Sequence, residues 1–166
     1  MMNNDVLRSL RFMLNISESD VLALMVLAEQ PVSTELPSIR EMECYLMRDE
    51  EEDRLICPDR VLEDVLNGLI VQRRGKRPAG SALPALPDVY VPLTNNTILK
   101  KLRVAFELHE QDMLDLLSNA EFSVSRPELS ALFRSVGHKH YRACGDQMLR
   151  YFLKGLTRRL RKDLPA

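Results

Sequence analysis

The sequence contains no tryptophan, and aromatic residues make up only 5% of its 166 residues. Its longest apolar stretch, residues 21–28, is too short to span a bilayer. Its polar start, residues 1–5, lacks the basic region and apolar core of a signal peptide. Hydrophobic residues (45%) and charged residues (28%) occur in ordinary globular proportions. This composition excludes a disordered chain or a fibre, and we expect a cytoplasmic protein that makes no membrane contact.

Cysteine is also scarce, with three residues, Cys44, Cys57 and Cys144. An odd number without paired metal-type spacing predicts free thiols in a reducing compartment. Cys57 and Cys144 occupy equivalent positions just before a helix, where the helix dipole can lower a thiol pKa. A reactive Cys144 would need His138 or His140 as its base, and zinc would need a fourth ligand. Small buried side chains are therefore the favoured interpretation.

The motifs of enzymes are missing as well. The chain has no Gly-rich phosphate loop, no paired catalytic carboxylates at a defined spacing and no credible metal cluster. The acidic run 49–53 lacks the alternating oxygen ligands and the glycine bend that calcium prefers. We therefore expect a protein that is not an enzyme, with no cofactor, no metal and no evident small-molecule substrate.

What the chain does contain is an internal repeat. Residues 3–25 align with residues 95–117 at an offset of 92, with nine identities in 23 positions. Residues 57–70 align with residues 144–157 at an offset of 87, with six identities in 14. Each unit is near the lower size limit for an independent core, so the two should support each other. The predicted parts are a first repeat (1–74), a Pro-rich linker (75–94) and a second repeat (95–166).

Apolar residues recur at helical spacing in both copies, and period-two runs typical of strands are missing. Each copy should begin with a helix capped by paired asparagines, and Ser17 and Ser125 should cap later helices. We predict an all-α fold, a tandem duplication of a four-helix unit. Residues 112–134 resemble a helix-turn-helix hairpin, although plain core packing is the favoured interpretation. Residues 89–91 could pair as a strand, but a linker packed on the core is favoured.

The two copies differ in charge. Residues 1–72 hold 6 basic and 15 acidic side chains, whereas residues 95–166 hold 13 basic and 8 acidic ones. The contrast is sharpest in the segment before the fourth helix. The first copy has an acidic run there, 49–53, and the second copy has a basic loop, 138–142, at the equivalent position. Opposite charges could support head-to-tail pairing or two different partners, and a solvated run is the alternative. The candidate partner-binding residues are Asp49, Glu50, Glu51, Glu52 and Asp53.

Basic residues of the second copy form three groups, on its first helix, before its fourth helix and at its C-terminal end. On one face they would neutralise phosphates, and Tyr141 could stack on an unpaired base. The alternative is that basic side chains at a helix end complement its dipole. The candidate nucleic-acid-binding residues are Lys100, Lys101, Arg103, Lys139, Tyr141, Arg142, Arg158, Arg159 and Arg161.

Two arginines recur beside equivalent leucines, Arg11 in the first copy and Arg103 in the second. A half-buried arginine needs a carboxylate partner. We expect Arg11 to pair with Asp59 and Arg103 with Asp146, which would hold the first helix of each copy to the fourth. Phosphate binding is the competing interpretation.

Several short motifs occur in both copies and carry a family resemblance. They are the paired asparagines (3–4 and 95–96), Leu-Arg (10–11 and 102–103), Cys-x-Asp (57–59 and 144–146) and the Gly-Leu endings (67–70 and 154–157). On these motifs the chain resembles the YehS-like family of small bacterial cytoplasmic proteins, over nearly its whole length. The resemblance implies a tandem helical duplication and a domain of unknown function, and no catalytic residue can be carried over from it.

Two functions remain in view. The first is a non-enzymatic bacterial cytoplasmic binding or regulatory protein whose second repeat contacts nucleic acid. The alternative is a protein-interaction adaptor, or a self-associating module, that uses the oppositely charged repeats.

Overall fold

The computed structural model describes residues 1–81, 89 and 91–162. This part of the chain is helical and contains no strand, which confirms the all-α prediction. Residues 82–88 and 90 of the predicted linker, residues 163–166 of the second repeat, and so part of the suggested strand at 89–91, lie outside it. The helices of the first repeat are α1 (Asn3–Leu14), α2 (Glu18–Leu27), α3 (Ile39–Leu46) and α4 (Asp59–Arg74). Those of the second are α5 (Asn95–Ala105), α6 (Glu110–Asn119), α7 (Arg126–Ala131) and α8 (Asp146–Leu160).

Serine caps set the starts of several helices. Ser17 at α2, Ser38 at α3 and Ser125 at α7 each accept the backbone N–H three residues on, at 3.1 to 3.3 Å. The acidic residue at that third position bonds back to the N–H of the serine, which completes a capping box. The predicted caps at Ser17 and Ser125 are therefore confirmed.

The paired asparagines do not cap the first helices, and that prediction is wrong. Met2 is the N-cap residue of α1, and Thr94 is that of α5. Asn4 is instead fully buried. Its amide Nδ2 donates to the carbonyls of Tyr45 (2.9 Å) and Leu55 (2.7 Å), and its Oδ1 accepts the N–H of Cys57 at 3.0 Å. One side chain thus fixes α1 to the end of α3 and to the loop before α4.

Asn96 repeats this arrangement at equivalent positions of the second repeat. Its Nδ2 donates to the carbonyls of Leu132 (3.0 Å) and Arg142 (2.9 Å), and its Oδ1 accepts the N–H of Cys144 at 2.8 Å. We call each set of three hydrogen bonds an asparagine clamp. Both clamps satisfy backbone groups of a loop that has no regular structure of its own.

The expected pairing of Arg11 with Asp59 is wrong. Arg11 instead pairs with Glu18, at 3.2 Å. Asp59 accepts a hydrogen bond from Asn3 Nδ2 at 2.6 Å. A neighbouring amide therefore provides the link between α1 and α4 that the arginine was expected to provide.

Arg103 departs from the expectation in the same way. Its Nε donates to the carbonyl of Leu108 at 3.0 Å, and its guanidinium lies 4.5 Å from the centre of the Phe133 ring. Asp146 instead accepts from Asn95 Nδ2 at 2.7 Å. Arg103 therefore supports the turn after α5 and packs on an aromatic ring.

The second helix of each repeat crosses the fourth at a glycine. A Cβ atom on Gly68 of α4 would lie 1.6 Å from the carbonyl oxygen of Leu24 in α2. A Cβ atom on Gly155 of α8 would lie 2.2 Å from the oxygen of Leu116 in α6. Both helix pairs approach so closely that no side chain fits between them.

The first helix of each repeat also packs on the fourth helix of the other repeat, α1 on α8 and α5 on α4. Buried side chains from both repeats form one continuous apolar core. Two backbone nitrogens strengthen this packing between the repeats. The amino group of Met1 pairs with Asp146, and the N–H of Leu93 donates to Asp59 at 2.9 Å. No helix in the described part of the chain is long and apolar enough to cross a membrane.

Candidate functional site between α1 and α8

A groove of about 650 Å³ lies between α1 and α8, where the two repeats meet. Four cationic side chains and two acidic ones line it, together with Phe12 and other residues. The charged residues are Arg8, Arg150, Lys154, Arg158, Asp5 and Asp49. The groove has the volume of a binding site and an excess of positive charge.

The cations of the α8 wall follow one another at every fourth position, Arg150, Lys154 and Arg158. This spacing places them along one side of the helix, about 6 Å apart along its axis. Arg158 donates to the carbonyl of Asn119 at 2.6 Å, and the Lys154 amine lies 5.8 Å from the centre of the Tyr151 ring. In the part of the chain that the structure describes, Arg150 and Lys154 form no salt bridge.

The acidic residues of the groove are already paired. Arg8 lies 2.6 Å from Asp5 and 3.6 Å from Asp49, and it also donates to the carbonyl of Met47 at 2.5 Å. Arg54 approaches Asp49 at 3.1 Å. Because these carboxylates are paired with arginines of the first repeat, they do little to neutralise the cations of the α8 wall.

At the equivalent junction, between α4 and α5, a lysine bridges the two helices, and we call this the closed junction. The amine of Lys101 donates to Asn67 Oδ1 at 2.6 Å and lies 3.7 Å from Glu63. Burial lowers the pKa of Lys101, and the charge of Glu63 opposes that shift. This lysine spans from one repeat to the other and occupies the space between the helices.

The groove exists because the residues at equivalent positions differ. Ser9 stands where the other junction has Lys101, and it is too short to cross between the helices. The fourth helices differ even more in charge. Along α8 the groove residues are Arg150, Lys154 and Arg158, and at the same positions α4 has Glu63, Asn67 and Val71.

An exposed aromatic ring also lines the groove. Phe12 of α1 is 60% exposed, an unusual degree for a phenylalanine. The guanidinium of Arg161 lies 4.0 Å from its ring centre and donates to its carbonyl at 2.8 Å. Val104 occupies the equivalent position in α5, and its carbonyl accepts from Arg74 at 3.4 Å. The α4/α5 junction thus has the equivalent hydrogen bond from an arginine to a backbone carbonyl, but it has no aromatic ring at this position.

Among the sequence-predicted nucleic-acid residues, Arg158 lines the groove and Arg161 contacts Phe12, which also lines it. Lys101 lies in the closed junction, and Arg103 packs on Phe133. Arg159 pairs with Asp112 of α6 at 3.3 Å, and the hydrogen bond from the His109 N–H, with a smaller contribution from Arg159, lowers the pKa of that carboxyl. These cations therefore do not share one face.

Of the remaining predicted residues, Lys139, Tyr141 and Arg142 lie on the loop before α8, and Lys100 lies on α5. Lys100, Lys139 and Arg142 are exposed, and Tyr141 is half-buried. The ring centres of His138 and His140 in this loop are 5.6 Å apart. A role for this loop in binding nucleic acid stays a prediction.

The acidic run is exposed along its length and partly paired within its own repeat. Asp49 contacts Arg8 and Arg54, as described, and Asp53 lies 3.0 Å from Arg40. Glu51 accepts the backbone N–H of Arg48 at 2.8 Å, whereas Glu50 and Glu52 are simply exposed. Binding of a partner to this run also stays a prediction.

A reactive cysteine is contradicted. Cys57 is 1% exposed and Cys144 is 6% exposed. Burial raises the pKa of Cys57 to about 12 and that of Cys144 to about 11. Both thiols stay protonated near neutral pH, as expected of small buried side chains beneath a loop.

Two residues of the α8 wall, Arg150 and Lys154, were not among the predicted site residues. Their signal is in the sequence, since with Arg158 they form an i, i+4, i+8 series. Alignment with α4 shows that no member of the series is cationic in the first repeat.

The chain is similar to proteins that are described as being of unknown function. The model of a family described as "Protein of unknown function (DUF1456)" matches residues 3–75 and 95–162. "Uncharacterized protein YehS" of Escherichia coli strain K12 is 41% identical over 159 residues, which cover 96% of each chain. No solved structure matches. The two matched segments agree with a tandem repeat.

Proposed function

The chain belongs to the DUF1456 family, whose function is unknown, and we propose from the α1/α8 groove that it is a non-enzymatic protein that binds nucleic acid along α8. The phosphates would lie against Arg150, Lys154 and Arg158. As expected from the sequence, we place this activity in the cytoplasm.

A single observation carries the proposal, which is the charge of α8 compared with that of α4. The two helices derive from one unit and keep three equivalent buried leucines and the same glycine. They differ in the series that faces the inter-repeat junction, which carries three positive charges in α8 and one negative charge in α4. Solubility alone gives no reason to place one sign of charge along the α8 wall of the groove, whereas binding to a polyanion does.

The test is a binding titration of variants that carry the residues of the duplicate. Fluorescence anisotropy would follow labelled single-stranded RNA, single-stranded DNA and duplex DNA at low and physiological salt. We expect Arg150→Glu/Lys154→Asn/Arg158→Val to weaken binding at least tenfold. The slope of log K against log salt should also fall by about 2, as for three lost phosphate contacts on a single strand.

Lys100→Glu/Lys139→Glu is the matched control, since it changes the net charge by the same amount at exposed positions outside the groove. It also tests the surface predicted from the sequence. Equal losses in the two variants would contradict the groove and indicate long-range attraction only. A loss in the control alone would move the site to the loop before α8.

A second candidate, the protein-interaction adaptor, is supported by the outer face of α2. Val26 is 66% exposed and Leu27 is 37% exposed. The equivalent residues of α6 are Ser118 and Asn119. This candidate rests on two adjacent exposed aliphatic side chains in one copy of a duplicated helix whose equivalents in the other copy are polar.

For the adaptor, light scattering coupled to size-exclusion chromatography would compare the native chain with Val26→Ser/Leu27→Asn. Self-association in the native chain that is lost in the variant would support it. A monomer in both cases would remove self-association by this face.

A further inference from the structure

The groove combines its positive wall with one aromatic ring, and this combination points to a ligand class. Phe12 and Arg158 line the same groove. The chain has only five phenylalanines, and this one is 60% exposed. An exposed ring in a cationic groove is the usual arrangement of a site where a base stacks while the backbone is held by charge.

The ring is fixed in position before any ligand arrives. Arg161 covers one side of it, 4.0 Å from the ring centre, and the same guanidinium bonds to the carbonyl of Phe12. The hydrogen bond to the backbone anchors the guanidinium, and the contact of the guanidinium with the ring in turn limits rotation of the Phe12 side chain. A ring held in this way loses little conformational freedom when a base stacks on it.

Stacking on a side chain requires a base that is free of its own neighbours. In a duplex the faces of the bases are covered by adjacent pairs, so their stacking surface is out of reach without unpairing. Phosphate contacts alone do not separate the two forms, because both carry the same groups. The ring is therefore the feature that would distinguish a single strand from a duplex.

We propose that the α1/α8 groove binds single-stranded nucleic acid, with one unpaired base stacked on Phe12 and the adjoining phosphates on the cations of α8. This inference rests on the proposed function and specifies its ligand. Phe12 then determines specificity, and the α8 cations provide affinity.

The experiment compares three oligonucleotides of equal length: a base-bearing single strand, an abasic single strand and a duplex. Native protein should bind the base-bearing strand about tenfold more tightly than the abasic strand. Phe12→Val, the residue of the duplicate, should remove that difference by weakening binding of the base-bearing strand. Phe12→Trp should keep it, since indole also stacks.

Tyr141→Val is the matched control, because Tyr141 is the stacking residue predicted from the sequence and lies outside the groove lining. It should leave all three affinities unchanged. Loss of the base preference in Tyr141→Val, or equal losses for the base-bearing and abasic strands in Phe12→Val, would overturn the inference.

The outcomes also separate the inference from the proposed function. No binding of any oligonucleotide by the native protein would overturn both. Binding that the triple α8 variant abolishes but Phe12→Val leaves intact would overturn the stacking alone. A polyglutamate chain of equal charge that competes as well as the base-bearing strand would overturn both and assign the groove to acidic peptides.

Discussion

The two inter-repeat junctions derive from the same pair of helices, yet one is closed and the other is an open groove. At the closed junction Lys101 crosses from α5 to two polar partners on α4. At the open junction Ser9 cannot reach across, and the facing wall carries Arg150 and Lys154. The difference shows that duplication fixed the packing of the helices while the residues between them diverged.

The two repeats share a set of internal contacts, which we call the frame, and differ in residues at the junctions and on the surface. The glycine crossings, the asparagine clamps and the buried cysteines occur in both repeats with nearly the same geometry. The series along α4 and α8 and the outer faces of α2 and α6 differ. Variants of the frame should therefore affect both repeats alike, and variants of the junctions should not.

The largest effect should come from the glycine crossings. Gly68→Ala should lower the free energy of unfolding by roughly 3 kcal/mol, because the new Cβ atom would meet the backbone oxygen of Leu24 at 1.6 Å. Gly155→Ala should cost somewhat less, since its contact with Leu116 is 2.2 Å. Urea denaturation measures both. A full effect in one repeat and none in the other would show that the frame is not shared.

The asparagine clamps should come next. Asn4→Ala should cost about 2 kcal/mol, since it leaves the backbone groups of Tyr45, Leu55 and Cys57 without their partner. Asn96→Ala should cost less because that side chain is only partly buried, so water can replace some of the bonds. The measurement is again urea denaturation.

Asn4→Asp provides a sharper control for the clamp. The carboxylate can still accept the N–H of Cys57, but it cannot donate to the two carbonyls. We expect it to be at least as destabilising as Asn4→Ala. A neutral result would mean that the carbonyls do not need the amide.

Substitutions at the closed junction should have a smaller effect on the free energy of unfolding. Lys101→Ser introduces the residue of the open junction and should cost about 1.5 kcal/mol, through loss of the hydrogen bond to Asn67 and the ion pair with Glu63. Lys100→Ser, at an exposed neighbouring position, is the control and should change little. Equal effects would indicate that Lys101 does not hold the junction.

The reverse substitution, at the open junction, tests whether a lysine alone can close the groove. Ser9→Lys would place a cation beside Arg150 and Lys154, so we expect it to destabilise the protein instead of closing the groove. Adding Arg150→Glu should relieve the repulsion by supplying the acid that α4 has at Glu63. A double-mutant cycle in urea measures this coupling.

Much of the frame could be predicted from the sequence, because it follows from local patterns. Helical periodicity, the serine caps at Ser17 and Ser125 and the spacing of the repeat are short-range signals. The clamps could not be predicted in this way. An asparagine at a helix start usually caps it, and only the fold brings the carbonyls of Tyr45 and Leu55 to Asn4.

Only part of the groove could be predicted from the sequence. The cationic series of α8 is visible once α8 is aligned with α4, and Arg158 was among the predicted residues. That α1 packs on α8, and so brings Phe12 to the same groove, depends on packing between the repeats. Internal alignment equates positions, but it does not reveal which helix faces which.

The smallest effect concerns the buried thiols and is absent at neutral pH. Burial raises the pKa of Cys57 from an ordinary value near 9 to about 12. Its contribution to stability is therefore complete below pH 9 and is lost as the pH rises toward 12, since the unfolded chain releases the proton first. Between pH 8 and pH 10 the loss should be about 1.4 kcal/mol. Cys57→Ala should be less stable at pH 8 but should lack this part of the pH dependence.

The comparison of the two repeats extends to their thiols. Cys144 is more exposed than Cys57, and its pKa is raised less, to about 11. With a thiol reagent in the native state above pH 9, Cys144 should therefore react faster, because more of it is thiolate and the reagent reaches it more easily. Mass spectrometry of the labelled peptides measures the order. Faster labelling of Cys57 would mean that the first repeat opens more readily than the second, so that the frame is shared in geometry but not in stability.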